Sequence, residues 1–157
     1  MIRLANELDI DDIIKLLDEI REIHHNIRPD LFKDSGYKYN KDELINIIND
    51  KNTPIFVYVE NNKLLGYAFL KIIDNKNSNV LTPIKTIYID DLCVTSSYRG
   101  NNIGHKLYDY VINYAKEINC YNVTLNVWCG NDKAIKFYES LGLKPQKIGM
   151  EMIIKWK

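Results

Sequence analysis

An apolar, β-branched run at residues 87–94 is followed by apolar residues at helical spacing. The other elements of the chain are assigned relative to this strand and this helix. Between the two lie a polar turn at 95–98 and the segment Arg99-Gly100-Asn101-Asn102-Ile103-Gly104. The repeat then has the spacing of one helical face, formed by Ile103, Leu107, Tyr110, Val111, Tyr114 and Ile118. This pattern predicts a strand, a glycine-containing turn and a helix. Such a turn directs backbone N–H groups and the positive end of a helix dipole towards one point, which suits a phosphate, although glycine turns also simply connect elements.

Two helices are predicted in the first fifty residues, after a short edge strand at 2–5. Asp9 is placed as the N-cap of the first helix. The apolar face of that helix consists of Ile10, Ile13, Ile14, Leu17 and Ile20. The helix is expected to end near His24 or His25, because Pro29 disfavours helical backbone at the residue before it.

A capping box and a hairpin are predicted next. Asn40 and Glu43 have the spacing of a capping box, which places the start of the second helix there. Strands at 55–59 and 64–73 are joined by an Asn-Asn turn at 61–62, and the polar residues 74–82 form a loop. Gly66 within the second strand indicates a bulge or a close neighbour.

Three further elements are predicted after the helix that follows Gly104. Val123, Leu125 and Val127 alternate with polar residues and indicate a strand. A helix at 133–141 is capped by Asn131 and stopped by Gly142. A terminal strand is predicted from an alternating set of apolar residues: Ile148, Met150, Met152, Ile154 and Trp156.

The element order is therefore β-α-α-β-β-β-α-β-α-β, which favours an α/β fold with a mixed sheet and helices on both faces. One domain over residues 1–157 is expected from the length. The formal net charge is zero and the pI is about 6.8, which argues against a nucleic-acid or polybasic membrane binder. The three cysteines have neither disulfide nor metal-ligand spacing, so no metal is expected. The sequence shows no signal peptide and no apolar run of membrane length, so a cytoplasmic protein is expected.

Two motifs resemble those of GNAT-type N-acetyltransferases. Residues 92–104 are similar, without a gap, to the family's pyrophosphate segment with the signature Arg/Gln-x-x-Gly-x-Gly/Ala. One position differs, since Asn102 stands where the family usually has glycine, and Asn is the residue after glycine that best tolerates left-handed backbone. Residues 131–143 are similar to the family's Asn-x-x-Ala-x-x-Phe-Tyr-x-x-x-Gly-Phe/Leu box.

The resemblance spans nearly the whole chain and implies the GNAT fold. It also implies direct transfer of an acetyl group from acetyl-CoA to a primary amine of a small molecule or peptide, in a ternary complex. Homodimers are common in the family. Residues implied in cofactor binding are Leu92, Cys93, Val94, Arg99, Gly100, Asn101, Asn102, Ile103, Gly104 and Asn131.

The resemblance also implies residues for catalysis and acceptor binding. Tyr138 corresponds to the family's Tyr near the cofactor thiol and is a reasonable acid for the leaving thiolate. Residues 87–94 are similar to the Leu-Tyr-Leu-Glu-Asp-Phe-x-Val segment of diamine and thialysine N-acetyltransferases, which places Asp90 at the amine-contacting Glu, one methylene shorter. A bridging water is therefore favoured over direct contact. Asp91, Arg28 and Tyr37 are assigned to the acceptor side.

Alternatives to these assignments remain open. Because Asp90 and Asp91 are consecutive in a strand, they are expected on opposite faces, so that only one faces a given cleft. Each aspartate could instead bind backbone or lysine partners, Asn131 could be only an N-cap, and Tyr138 could be core. At the level of the whole chain, the alternative is a non-catalytic CoA-binding module of the same fold.

Overall fold

The computed structural model describes residues 1–155, which divide into two compact units, Met1–Asn126 and a second unit that begins at Val127. The first unit contains β1 (Ile2–Leu4), α1 (Ile10–Ile27), α2 (Lys41–Ile48), β2 (Ile55–Glu60), β3 (Lys63–Asp74), β4 (Lys85–Val94), α3 (Ile103–Glu117) and β5 (Asn122–Leu125). Short 3₁₀ helices at Glu7–Asp9 and Ser96–Tyr98 precede α1 and α3. The second unit contains α4 (Asp132–Ser140). The single domain over residues 1–157 stays a prediction.

The five strands form one mixed sheet in the order β1-β2-β3-β4-β5. The first four strands are antiparallel neighbours, and β5 pairs with β4 in parallel. Two apolar clusters lie on the two faces of the sheet, and the adjacent β2 residues Val57 and Tyr58 belong to different clusters. Val57 packs in the cluster of α1 and α2, whereas Tyr58 packs with Ile103 and Leu107 of α3. The sheet thus has helices on both faces, and the predicted α/β fold class is confirmed.

Gly66 of β3 allows α3 to lie close to the sheet. A Cβ atom built at this residue would lie 3.0 Å from the carbonyl oxygen of Cys93 and 3.1 Å from Cδ1 of Leu107. The register between β2 and β3 also shifts beside it, between Tyr58 and Val59. Both the bulge and the close neighbour that the sequence indicated are therefore present.

Local turn and capping chemistry follows the sequence in two other places. Asn61 and Asn62 both have left-handed backbone, with φ of 52° and 59°, as a two-residue hairpin between β2 and β3 requires. The side chain of Asn40 accepts a hydrogen bond from the N–H of Glu43 at 2.8 Å. The carboxylate of Glu43 accepts one from the N–H of Asn40 at 3.1 Å, which completes the predicted capping box.

The start of the first helical segment agrees with the prediction in position but not in chemistry. Asp9 is the N-cap residue of α1, but its side chain makes no capping hydrogen bond there. The capping box belongs to the preceding 3₁₀ helix, where the side chain of Asn6 accepts a hydrogen bond from the N–H of Leu8 and the carboxylate of Asp9 accepts one from the N–H of Asn6. Asp9 also forms a salt bridge with Arg3 at 2.8 Å. Burial alone would raise the pKa of Asp9, but the hydrogen bonds from Arg3 and Asn6 outweigh it and lower the pKa.

The end of α1 lies further along the chain than predicted, at Ile27. Pro29 restricts only the residue before it, and Arg28 is indeed non-helical, with φ of −134° and ψ of 74°. The helix therefore continues past His24 and His25.

None of the helices within residues 1–155 combines the length and the apolar character of a membrane span.

Two predicted strands in the last quarter of the chain were wrong in extent. The strand over Val123, Leu125 and Val127 ends at Leu125. Residues 148–154 have no strand or helix structure, and Ile148, Met150, Met152 and Ile154 are all at least 84% exposed. Alternation of apolar and polar residues indicates a segment with one apolar and one polar side. A strand also requires backbone hydrogen bonds to a neighbouring strand. Trp156, the last residue of that predicted strand, lies outside the described residues.

Candidate functional site

A β-bulge in β4 occurs at the two aspartates. Phe69 of β3 is opposite Asp91, and the next residue of β3, Leu70, is opposite Ile89, so Asp90 has no opposite residue on β3. An extra residue of this kind disrupts the strict alternation of side chains along a strand. The bulge therefore decides the direction of both carboxylates.

Asp90 is held by three residues from distant parts of the chain. One carboxylate oxygen, Oδ2, accepts a hydrogen bond from the hydroxyl of Tyr39 at 2.6 Å. The other, Oδ1, lies 3.0 Å from Nζ of Lys38 and 3.7 Å from Nζ of Lys71. Burial alone would raise the pKa of Asp90, but the hydrogen bonds from Tyr39 and Lys38 outweigh it and lower the pKa. Asp90 is therefore ionised at neutral pH.

Asp91 has a different environment. Its Oδ2 accepts a hydrogen bond from the hydroxyl of Tyr67, a fully buried residue of β3, at 2.7 Å. Burial raises the pKa of Asp91 to about 6, although the hydrogen bond from Tyr67 acts in the opposite direction. The two neighbouring carboxylates thus have pKa values that are shifted in opposite directions by their surroundings.

The expectation that the two aspartates point to opposite faces was wrong. Tyr67 and Phe69 belong to the apolar cluster of α1 and α2, and Tyr39 stacks on Phe69 with ring centroids 5.7 Å apart. Asp91 bonds to Tyr67, and Asp90 bonds to Tyr39, so both carboxylates lie on this face of the sheet. The bulge is the reason, because the period-two rule holds only where a strand is regular.

Neutralising Asp91 is expected to stabilise the protein above pH 6. Because the folded-state pKa exceeds the ordinary value of 3.8, the folded state binds the proton more tightly. Stability from this group is therefore complete below about pH 4 and is lost as the pH rises through 6, with a loss of about 1–3 kcal/mol. Asp91→Asn keeps an acceptor for Tyr67 and should remove this loss. Urea unfolding at several pH values would measure it, as the free energy of unfolding of the variant minus that of the wild type.

The control for this prediction is Asp74→Asn, at the exposed end of β3. This variant removes one exposed carboxylate and should not reproduce the increase in the free energy of unfolding that is expected for Asp91→Asn. A flat difference for Asp91→Asn over the same pH range would mean that Asp91 titrates normally in the folded protein.

The end of β4 extends beyond its pairing with β5. The last pair of that ladder is Ile89 with Leu125, whereas β4 continues to Val94 and pairs there with β3. Leu92 and Val94 pack against the α3 cluster. The β5-facing edge of β4 is thus outside the sheet ladder over its last five residues, and its backbone groups are suited to bind an extended ligand.

The segment after β4 has the backbone geometry that a phosphate site needs. Gly100 and Asn102 both have positive φ, of 93° and 62°, and Asn102 is the N-cap residue of α3. The side chain of Asn102 makes no capping hydrogen bond. The N–H groups of the first turn of α3, which have no partner within a helix, are therefore not capped by that side chain. Asn102 thus adopts the left-handed backbone that asparagine tolerates best after glycine.

The remaining residues of this segment are fixed to the rest of the first unit. Glu19 of α1 accepts hydrogen bonds from the N–H of Ser96 at 3.1 Å and from the hydroxyl of Thr95 at 3.3 Å. Arg99 donates to the carbonyl oxygen of Val94 at 3.1 Å through Nε. This support was not predicted, because Glu19 is distant in sequence from the segment that it holds.

Cys93 can contribute only backbone atoms to a ligand site. Its side chain is buried, and its thiol lies 3.8 Å from the carbonyl oxygen of Leu16. Burial and the nearby Asp91 raise the pKa of this thiol to about 12. A thiol with such a pKa is a poor nucleophile at neutral pH.

The residues assigned to the acceptor side are only partly brought together. Arg28 follows α1 and makes two hydrogen bonds to Asp30, at 2.9 and 2.7 Å, while Tyr37 is exposed. The residues that do contact Asp90 directly are Lys38, Tyr39 and Lys71. Tyr39 lies two residues after Tyr37, which was assigned to the acceptor side. No sequence pattern indicated the two lysines, since their position depends on the fold.

Asn131 and Tyr138 belong to the second unit. Asn131 caps α4, with its side-chain oxygen 3.3 Å from the N–H of Ala134, so its predicted capping role is confirmed. The ring of Tyr138 packs edge to face with that of Phe137, at a centroid distance of 5.1 Å. Roles for Asn131 in cofactor binding and for Tyr138 in catalysis stay predictions. Within residues 1–155, no group of three His, Cys, Asp or Glu side chains is arranged to hold a metal ion.

Comparison with known proteins gives the class of this chain. The sequence model of the acetyltransferase (GNAT) family matches residues 17–143, which include the loop at 99–104 and the box at 131–143. The chain therefore belongs to the acetyltransferase (GNAT) family.

Individual relatives are distant in sequence. The chain is 27% identical, over 74% of its length, to a probable glucosamine 6-phosphate N-acetyltransferase of Drosophila melanogaster, and it spans 59% of that protein. It is 24% identical, over 92% of its length, to a thialysine N-epsilon-acetyltransferase of Sus scrofa, of which it spans 84%. The crystal structure of a mutant of the BH1408 protein from Bacillus halodurans has a TM-score of 0.93, 28% identity and 99% coverage of both chains.

Proposed function

We propose that this protein transfers the acetyl group of acetyl-CoA to a primary amine, directly and without a covalent enzyme intermediate. The observation that carries this proposal is the arrangement of β4. Its bulge holds an ionised carboxylate at Asp90, its edge beyond the β5 ladder runs from there to Val94, and the start of α3, which the Asn102 side chain does not cap, follows. One continuous segment thus offers groups for an amine, an extended arm and a phosphate.

The residues fit acetyl-CoA in their chemistry. Phosphate oxygens suit the N–H groups at the start of α3, and the left-handed Asn102 and Gly100 let an anion approach the backbone. The backbone of Leu92, Cys93 and Val94 suits the extended arm and can polarise a thioester carbonyl. When bound, acetyl-CoA supplies the activated acetyl group, and its thiol is the leaving group.

The reaction requires proton transfers at two atoms, the acceptor nitrogen and the thiol sulfur of the leaving group. An alkylammonium has a pKa of about 10.4, so the acceptor must lose a proton before its nitrogen attacks. Asp90, ionised and adjacent to the acceptor, binds the cation and accepts or relays that proton, through water where its short side chain does not reach. As the N–C bond forms and the C–S bond breaks, Tyr138 donates a proton to the thiolate. The nitrogen then loses its second proton to become the amide, and this proton restores the Tyr138 hydroxyl directly or through water.

The test begins with thermal unfolding in the presence of acetyl-CoA, CoA or ATP. Ligand at a hundredfold excess over its Kd should stabilise the protein by about 2.7 kcal/mol. We expect an increase in the melting temperature with acetyl-CoA and CoA but little with ATP, followed by thiol release when primary amines are added. Binding without thiol release for any amine would favour the non-catalytic CoA-binding module. Absence of binding to both CoA species would contradict the proposal.

The backbone of Asn102 allows a second test of the proposed phosphate site. Asn102→Gly should bind acetyl-CoA about as well as the wild type. Asn102→Val should bind at least about tenfold more weakly, because left-handed backbone costs an ordinary residue about 1–2 kcal/mol and a β-branched one more. Titration calorimetry measures both. In the control Asn119→Val, which has a φ of 60° at the other end of α3, stability should fall but acetyl-CoA affinity should not. Wild-type affinity in Asn102→Val would place the phosphates elsewhere.

We further propose that the protein is a homodimer whose contact includes residues 148–154. Ile148, Met150, Met152 and Ile154 are exposed, and a continuous set of exposed apolar side chains is typical of an interaction surface. In a dimer with two-fold symmetry, each copy would bury this segment of the other. Light scattering should give twice the chain mass of 18.4 kDa. Met150→Glu should give the monomer, whereas Glu151→Gln, the adjacent residue on the polar side of the alternation, should not. A monomeric wild type would contradict this proposal.

A further inference from the structure

The two lysines beside Asp90 offer more positive charge than that carboxylate can use. Both contact the same oxygen, Oδ1, and the side chains of Lys38 and Lys71 remain 46% and 48% exposed, whereas that of Asp90 is 8% exposed. An ammonium group has three N–H donors, and each of these groups has one contact with Asp90. Donors of both lysines are therefore available on the exposed side of the cluster.

We propose that the acceptor of the proposed reaction carries an anionic group, a carboxylate or phosphate, in addition to its amine, and that Lys38 and Lys71 bind this anion. The proposal rests on the proposed function, because it concerns the same Asp90. Both ammonium groups lie within 4 Å of one oxygen atom, so a single carboxylate or phosphate can contact both.

An exchange of ion-pair partners supports this choice of acceptor. An acceptor ammonium that binds Asp90 competes with the lysines, which must then find another counter-ion or lose their pairing. A zwitterionic acceptor supplies that counter-ion, so every charged group stays paired when the amine binds. A polyamine brings only further positive charge towards Lys38 and Lys71, and like charges that close repel.

Three other titratable groups lie near the lysines. Asp91, whose pKa is about 6, is mostly ionised at pH 7 and attracts Lys38, but its carboxylate is buried and accepts its hydrogen bond from Tyr67, away from the exposed side of the two ammonium groups. Burial and the charge of Lys38 both lower the pKa of His24, so that this ring is neutral at pH 7. Glu43, at the start of α2, is engaged by the backbone N–H of Asn40 in the capping box. The positive side of the cluster is therefore formed by the two lysines.

The experiment compares acceptors that differ only in the anion, at low ionic strength. One pair is L-lysine and 1,5-diaminopentane, and the other is glucosamine 6-phosphate and glucosamine. Within at least one pair, the anionic member should have a kcat/KM at least about tenfold higher, and the pair that shows this distinguishes a carboxylate from a phosphate. Lys71→Gln and Lys38→Gln should each reduce that preference by about tenfold or more, whereas Lys63→Gln, at the exposed start of β3, should not.

Two results would overturn the inference. The anion-free acceptor could be used as well as the anionic one in both pairs, or Lys71→Gln could affect both members of a pair equally. Binding of the same four compounds, measured by calorimetry, separates this inference from the proposed function. If anionic amines bind the wild type but not Lys71→Gln and no acetyl transfer occurs, the anion site at the two lysines is supported and the acetyltransferase reaction fails. If there is no transfer and no preference in binding, both fail.

Discussion

Asp90→Asn is expected to lower kcat/KM for the amine acceptor by about 100-fold or more, with little change in the affinity for acetyl-CoA. The variant keeps an oxygen that can accept the hydrogen bond from Tyr39, so the bulge and the stacking of Tyr39 on Phe69 should persist. What it loses is the negative charge that binds the acceptor ammonium and the site that accepts or relays its proton. General base catalysis of this kind typically contributes about 10²–10⁴-fold.

Steady-state kinetics with a saturating acetyl-CoA concentration would measure this loss, and calorimetry would measure the acetyl-CoA affinity separately. Asp74→Asn removes the same charge from the exposed end of β3 and should retain wild-type activity. The role of Asp90 would be refuted by a variant that keeps more than about a third of wild-type kcat/KM while its melting temperature is unchanged.

Tyr138→Phe is expected to lower kcat by about 100-fold or more. The substitution keeps the ring that packs against Phe137 at 5.1 Å, so α4 should stay folded and the loss should report the hydroxyl group. Protonation by a positioned acid lowers the barrier to release of the thiolate, whose conjugate acid has a pKa of about 8.5, and a phenol with a pKa of about 10 can serve as that acid. The affinity for acetyl-CoA should change by less than about threefold, since the contacts proposed for the phosphates lie in the 99–104 segment.

The matched control for this variant is Tyr121→Phe, which removes the hydroxyl of an exposed tyrosine and should leave kcat unchanged. Single-turnover measurements would show whether the chemical step is slowed rather than product release. If Tyr138→Phe keeps its turnover in the single-turnover reaction, another group or water protonates the thiolate, and the prediction for Tyr138 is wrong.

Turn geometry and helix capping were determined by the sequence itself. The Asn61-Asn62 turn, the Asn40–Glu43 capping box, the cap at Asn131 and the left-handed Asn102 each depend on residues within about four positions. Hydrophobic periodicity then predicted the helices, most strands and the fold class, because a core needs one apolar face on each element. The segment proposed to bind phosphate was identified for the same reason, since its geometry is local.

The surroundings of Asp90, the proposed acceptor side, were decided only by the tertiary structure. Lys38 and Tyr39 reach Asp90 across 52 and 51 positions of sequence, and no local pattern records such a contact. The bulge in β4 arises from its register with β3, and it overrode the period-two rule that had separated Asp90 from Asp91. The strand predicted near the C-terminus failed likewise, because a strand exists only where a neighbour pairs with it. Sequence periodicity thus determined which faces are apolar, whereas register and long-range pairing decided where the charged groups meet.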